Sequence, residues 1–159
     1  MIFGKSISDY VRFQKGILWL IVIVGLGRLV LSLAGVPNST AKWISITAVI
    51  VVGAVYCTMK MHTSGFGSYK HLLPVLIIQD GLSQIIVAVS IVLAMLTHKD
   101  NIFSAPEFSG GGDGKNWGHV GAHLLLGFVI APLVFWIVGC GILLLLKKMA
   151  PANQAASRS

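Results

Sequence analysis

One stretch of the sequence constrains the fold more than any other, namely residues 72–98, LLPVLIIQDGLSQIIVAVSIVLAMLTH. At about 1.5 Å per residue, a helix of this length exceeds the roughly 30 Å hydrocarbon core of a bilayer. Gln79, Asp80 and Gln84 lie within it, and a carboxylate there costs about 2.5–3.5 kcal/mol on insertion scales. Each surrounding Leu, Ile or Val makes the insertion free energy more favourable by about 0.3–0.6 kcal/mol. The stretch is therefore predicted to cross a membrane, with its polar side chains turned toward a partner or water.

The composition of the whole chain agrees with this reading. The 159 residues are 55% hydrophobic and 11% charged, whereas soluble domains carry about 25% charged residues. The net charge of +7 would suggest nucleic acid in a soluble protein, but here the cations lie at the ends of apolar segments, where anionic lipid headgroups hold them. The sequence predicts one integral membrane domain whose partner is the lipid bilayer and not nucleic acid.

Hydropathy divides the chain into four predicted spans and two flanking segments. The spans are approximately residues 16–34, 43–60, 73–97 and 118–146. They belong to a membrane domain, residues 1–148, followed by a flexible cytoplasmic tail, residues 149–159, rich in Ala, Ser, Asn and Gln. The first fifteen residues favour either a short helix at the membrane surface, capped by Ser6 or Ser8, or a simple charged flank.

The distribution of Lys and Arg predicts the orientation of the spans. Eight cations fall on the N-terminal side of the membrane: Lys5, Arg12, Lys15, Lys60, Lys70, Lys147, Lys148 and Arg158. Three fall on the other side: Lys42, Lys99 and Lys115. Because cytoplasmic loops carry the excess of Lys and Arg, both termini are predicted in the cytoplasm. The expected fold is an all-α, antiparallel four-helix bundle in a bacterial cytoplasmic (inner) membrane.

A polar track is predicted inside this bundle, and its residues are the candidate ligand-binding residues. They are Arg28, Tyr56, Gln79, Asp80, Gln84 and His123. Counting about 1.5 Å per residue places Asp80 in the cytoplasmic half, and Arg28 and His123 together in the outer half. Ionisable groups inside a membrane are functional candidates by default. The alternative is a structural network in which Asp80 pairs with Arg28 through Gln84.

Two histidines in the fourth span suggest a second kind of site. His119 and His123 are four residues apart and therefore share one helical face. Two imidazoles in this arrangement could hold a metal ion, or serve a haem if a further ligand were supplied. Candidate third metal ligands are Glu107, Asp113 and His98.

The sequence supports a non-enzymatic function better than a catalytic one. We find no nucleophile–base pair, no cysteine motif and no phosphate-binding loop, so no catalytic residue is predicted. The expected function is binding or translocation of a small ligand or ion through the polar track, or service as a subunit of a homo-oligomer or larger membrane complex. The alternative is a haem- or metal-dependent membrane redox protein that uses His119 and His123. The glycine-rich connection of residues 99–116 is either a lid over the outer face or a mobile tether.

Overall fold

The computed structural model describes residues 1–149, and that part of the chain is helical apart from its connections and one isolated two-residue bridge near the N-terminus. The all-α prediction is confirmed for the described residues. The predicted flexible tail, except for Met149, lies outside them.

Seven α-helices are described, with one 3₁₀ turn and one π-helical segment. In chain order they are α1 (Ile7–Phe13), α2 (Lys15–Leu33), α3 (Asn38–Ala41), α4 (Ile46–Ser64), α5 (Tyr69–Thr97), the 3₁₀ turn (Pro106–Phe108), α6 (Trp117–Leu125), the π segment (Leu126–Ile130) and α7 (Ala131–Met149). Four stretches are long and apolar enough to cross a membrane: Lys15–Leu33, Asn38–Ser64, Tyr69–Thr97 and Trp117–Met149. Each of them overlaps one predicted span.

Polar side chains fix where several of these helices begin. Ser6 caps α1: its Oγ accepts from the amide of Asp9 at 3.1 Å, while its own amide donates to the Asp9 carboxylate at 2.8 Å. Ser45 caps α4 by accepting from the Ala48 amide, and Asn116 caps α6 by accepting from the His119 amide. Such caps satisfy amides that have no partner within the helix, so the starting points are encoded locally.

The stretch that dominates the sequence becomes the central helix. In α5, 56% of the most apolar window is buried within the protein, against 11% in α2. Helix α5 packs against α2, α4, α6 and α7. Because it touches each of the other long helices, its polar side chains face protein on several sides, and their neighbours are decided by how those helices pack.

The fourth long stretch contains a local irregularity before Pro132. The π segment precedes it, and the Ala131 amide donates to the Leu126 carbonyl five residues back. Proline lacks an amide hydrogen, and its ring crowds the carbonyl four residues earlier, so a regular α-helical ladder cannot continue through it. One wider turn absorbs this conflict, as expected for a π-bulge.

The connection between α5 and α6 is folded onto the helices over part of its length. Residues 101–105 are buried, and Asn101 donates through Nδ2 to the Ser90 carbonyl at 2.7 Å. The amide of Ile102 donates to Ser32 Oγ in α2 at 2.8 Å. Residues 99–116 therefore form a cover that packs against the helices through residues 101–105, and not a mobile tether.

Candidate functional site

A pocket of about 350 Å³ lies where this cover meets α2, α4, α5 and α6. Its polar lining consists of Arg28, Lys42, Ser45, Thr47, Gln84 and His123. Its apolar lining consists of Ile46, Val87, Ile102, Phe103 and Phe108. Three residues of the predicted track, Arg28, Gln84 and His123, therefore come together at one cavity of a size typical for small ligands.

A chain of hydrogen bonds runs from the pocket into the fourth stretch. His123 Nδ1 lies 2.6 Å from Gln84 Oε1, and its Nε2 lies 3.1 Å from His119 Nε2. His119 Nδ1 lies 2.9 Å from the carbonyl oxygen of Gly114. The two histidines thus act as a unit that links α5 to the end of the covering connection.

The partners of the two Nδ1 atoms determine what the Nε2 atoms can do. A carbonyl oxygen only accepts, so His119 Nδ1 carries a hydrogen and the His119 Nε2 atom of the neutral ring presents a lone pair. If the Gln84 carboxamide turns its NH2 group to His123 Nδ1, His123 Nε2 donates to His119 Nε2 and every group in the chain is satisfied. If it turns its oxygen, both Nε2 atoms present lone pairs 3.1 Å apart, and a shared proton or a metal ion between them removes that repulsion.

A glycine in the π segment allows Gln84 to reach His123. A methyl group at Gly127 would lie 2.5 Å from Gln84 Cβ and 3.3 Å from the Asp80 carbonyl oxygen. Real side chains do not come this close. The close approach of the two backbones therefore depends on the absence of a side chain at position 127.

Arg28 faces aromatic rings of the cover rather than an acid. Its guanidinium carbon lies 5.2 Å from the ring centre of Phe103 and 5.7 Å from that of Phe108, within the range of cation–π attraction. Its Nε atom is buried and has no hydrogen-bond partner among the described residues. The structural alternative, an Arg28–Asp80 pair, is not formed, because the described ion pairs are those of Lys115 with Asp100 and Asp113.

One exposed polar contact joins the cover to α3, and another links the two ends of the cover. Asn38 Nδ2 donates to Glu107 Oε1 at 2.7 Å, which joins the 3₁₀ turn to α3, and this bond lowers the pKa of Glu107 below its ordinary value. Lys115 Nζ lies 2.6 Å from Asp100 Oδ1, and its hydrogen bonds to Asp100 and Asp113 raise the pKa of Lys115. Both contacts are exposed, and surface pairs contribute about 0–1 kcal/mol, so the cover is held mainly by the buried contacts of residues 101–105.

Three residues of the predicted track lie away from the pocket. Gln79 is fully buried and donates to Cys57 Sγ at 3.2 Å. Asp80 is 2% exposed, and its Oδ2 atom has no partner among the described residues. Tyr56 is 48% exposed, with Lys60 Nζ 5.8 Å from its ring centre. The track is therefore not continuous: Tyr56 is on the surface, and Asp80 has no described ion pair or hydrogen bond with Arg28 or His123.

None of the suggested third metal ligands is grouped with the histidine pair. Glu107 bonds to Asn38, Asp113 lies 3.2 Å from Lys115 Nζ, and His98 is exposed at the end of α5. Among residues 1–149, no group of three or more His, Cys, Asp and Glu side chains is placed to hold a metal ion. Any metal at His119 and His123 would take its remaining ligands from water or a bound molecule.

Sequence reasoning missed most of the other lining residues. Phe103 and Phe108 belong to the connection, and Lys42, Ser45 and Thr47 stand before or within the first turn of α4. Phe103 and Phe108 reach the pocket because residues 99–116 fold back onto the helices, and no periodic pattern in the sequence encodes that fold. The Ser45 capping pattern was the one local signal available, because it marks the beginning of α4.

Two further cavities among the described residues are lined almost entirely by apolar atoms. One of about 320 Å³ is lined mainly by Val11, Leu18, Trp19 and Val22, and another of about 330 Å³ by residues of α1 and the start of α5. Such grooves suit acyl chains, but they lack the convergent polar groups that orient a specific ligand. The pocket at Arg28 has both.

Comparison with known proteins assigns no function to this chain. No protein-family model matches this chain, and no match was found among curated proteins or solved structures. What the fold and the site define is an all-helical protein with four membrane-length helices and a polar pocket beneath a folded connection. A function must be inferred from that chemistry and not from the fold class.

Proposed function

We propose that this chain is a non-enzymatic, multi-pass integral membrane protein that binds or translocates a small ligand at the pocket formed by Arg28, Gln84 and His123. Its four long helices cross the bilayer in alternating directions, with both termini in the cytoplasm and the pocket toward the outer face. The observation that carries the proposal is the pocket itself, in which polar groups from four elements converge on a space of about 350 Å³.

The exposed surface of the four helices supports the membrane part of the proposal. Each helix presents bulky aliphatic side chains outward: Ile23 in α2, Val52 in α4 and Val89 in α5 are each 62% exposed, and Ile137 in α7 is 66% exposed. Such bands are unfavourable in water but suit acyl chains. The same faces would also suit a second copy or another subunit, which we retain as a proposal for the assembly.

The proposed orientation predicts which connections can be labelled from outside the cell. In a variant whose Cys57 and Cys140 are alanine, a cysteine placed at Gly112 should react with a membrane-impermeant maleimide in intact cells. A cysteine placed at Ser64 should react only after the cells are permeabilised. Both positions are exposed, so accessibility to water is matched. Labelling of the Ser64 position in intact cells would contradict the orientation.

The binding part of the proposal predicts that filling the pocket abolishes ligand effects. We expect at least one compound in a panel of small organic acids, amines and alcohols to raise the melting temperature of the purified protein by several degrees. Thr47→Trp should eliminate that shift, because residue 47 lines the pocket. Thr63→Trp, at the other end of α4 and exposed, should retain it. Equal shifts in both variants would place binding elsewhere.

The paired histidines favour a second candidate function, a metal-dependent membrane protein. Zn–N bonds of about 2.0–2.1 Å place two ligand nitrogens about 3.3 Å apart in a tetrahedral site. The observed separation of the Nε2 atoms, 3.1 Å, is close to this. It is too short for a haem plane to pass between the two nitrogens, so the geometry favours a small ion over haem with both histidines as axial ligands.

The metal candidate predicts stoichiometric loading that depends on both imidazoles. Protein dialysed against Zn²⁺ and then washed should retain about one ion per chain by elemental analysis, and His119→Ala should reduce this at least tenfold, since two-point attachment is lost. His98→Ala is the matched control, because His98 is exposed at the end of α5. Equal zinc content in wild type and His119→Ala would remove this candidate.

A further inference from the structure

The charged side chains that line the pocket are of one sign. Arg28 and Lys42 are cations, and none of the described lining residues is acidic. Asp100 and Glu107 belong to the cover but do not line the pocket: Asp100 pairs with Lys115, and Glu107 is exposed and bonded to the neutral amide of Asn38. The described lining of the pocket therefore carries positive charge and no acidic side chain.

Of the two cations that line the pocket, Arg28 is the less exposed to water and so gains more from a bound anion. It lies within a membrane-length helix, where an arginine costs about 2.5–3.5 kcal/mol on insertion scales unless it is paired or solvated. Its described neighbours are two aromatic rings, and its buried Nε has no acceptor among residues 1–149. Cation–π attraction compensates only part of that cost.

The beginning of α4 adds to the positive field. Ser45, Ile46 and Thr47 line the pocket, and α4 begins at Ile46. The Ser45 hydroxyl takes the amide of Ala48, while the amides of a helix's first turn have no partner within the helix. The N-terminus of a 19-residue helix carries a partial positive charge that favours an anion beside it.

We propose that this pocket binds the carboxylate or phosphate group of a small organic anion, with Arg28 and Lys42 as its counter-charges and Ile46, Val87 and Phe103 against its apolar part. The assignment deepens the proposed ligand-binding function and depends on it. The planar fork of arginine matches both anionic groups. The anion is either a soluble metabolite or the headgroup of a lipid, since the two sources share this chemistry.

The cationic and hydroxyl side chains of the pocket would contact different parts of the anionic group. The Arg28 guanidinium, held by the rings of the cover, supplies directed donors at the inner end. Lys42 is exposed and supplies a point charge at the mouth. The hydroxyls of Ser45 and Thr47 add short-range donors. The volume of about 350 Å³ admits a molecule with one small ring or a short chain beyond its anionic group.

The test uses full-length protein in nanodiscs of zwitterionic phosphatidylcholine, titrated calorimetrically with phenyl phosphate and, separately, with the neutral analogue benzyl alcohol. Phenyl phosphate should bind with a saturable isotherm, and Arg28→Gln should weaken it at least tenfold. Arg12→Gln is the matched control: it removes the same charge from an exposed position on α1 and should leave binding unchanged. Arg28→Lys should restore binding in part.

A second set of nanodiscs containing phosphatidylglycerol identifies the source of the anion. If a lipid headgroup occupies the pocket, phenyl phosphate binds more weakly there, and the stabilisation by phosphatidylglycerol disappears in Arg28→Gln. If a soluble anion is the ligand, phenyl phosphate binds equally in both kinds of disc. Either result supports an anion site. Should Arg28→Gln fail to fold, Lys42→Gln at the exposed mouth serves instead, with a several-fold loss expected.

The outcomes that overturn the inference are distinct from failure of the proposed function. Benzyl alcohol binding as tightly as phenyl phosphate, with no dependence on Arg28 or Lys42, would leave the pocket as a ligand site and refute its preference for anions. Absence of binding by both probes and by the wider panel of compounds, with no Arg28-dependent lipid effect, would refute the ligand-binding function as well.

Discussion

Gly127→Val is expected to destabilise the protein and to disconnect Gln84 from His123. The first side-chain carbon would lie 2.5 Å from Gln84 Cβ, an atom close to the α5 backbone that cannot rotate away. The π segment and α5 must then separate. Overpacking of this kind costs typically about 1–3 kcal/mol, and we expect a lower melting temperature in detergent together with loss of ligand-dependent stabilisation.

The matched control for this variant is Gly121→Val in α6. Nothing lies within 4 Å of a methyl group at that position, so the change carries the same cost in helix propensity without the collision. A melting temperature for Gly127→Val equal to that of Gly121→Val would mean that the two helices are not in close contact at Gln84. The geometry of the site would then be wrong.

Asp80→Asn is expected to stabilise the protein. Asp80 is 2% exposed, its Oδ2 atom has no described partner, and no described cation pairs with it. An unpaired carboxylate removed from water is costly, whereas an isosteric amide carries no charge. The change should raise the melting temperature and leave binding at the Arg28 pocket intact.

The control is Asp100→Asn, which removes a carboxylate that pairs with Lys115 at the exposed end of the bundle. Surface pairs contribute about 0–1 kcal/mol, so a small decrease is expected there. A large loss of stability in Asp80→Asn would revive the structural network predicted from the sequence, in which Asp80 holds Arg28. Loss of ligand binding in Asp80→Asn would instead make Asp80 part of the functional site.

The histidine pair and the cationic pocket meet at one residue. His123 lines the pocket and also faces His119 and Gln84. A cation held between the two imidazoles would increase the positive potential next to Arg28 and strengthen attraction for an anion. Anion binding and cation binding at the pair are therefore expected to be linked through His123.

Part of the candidate site could be predicted from residue spacing alone. Counting residues along the helices placed Arg28 and His123 at the same depth, and both line the pocket. The same count placed Asp80 one turn nearer the cytoplasmic side than Gln84, and Gln84 lines the pocket whereas Asp80 does not. Since the two share one face of α5, depth separates them. What the count could not give is which residues of the neighbouring helices and of residues 99–116 meet that face.

By itself the sequence determined the helical class, four membrane-length apolar helices and the importance of the stretch that becomes α5. These follow from hydropathy and end-capping, which depend on residues close together in the chain. Only the tertiary structure decided that Gln84 meets His123, that Asp80 is left without a described partner, and that Phe103 and Phe108 cover Arg28. Those contacts join residues far apart in the chain, so they depend on how closely the helices approach at Gly127 and on the fold of residues 99–116.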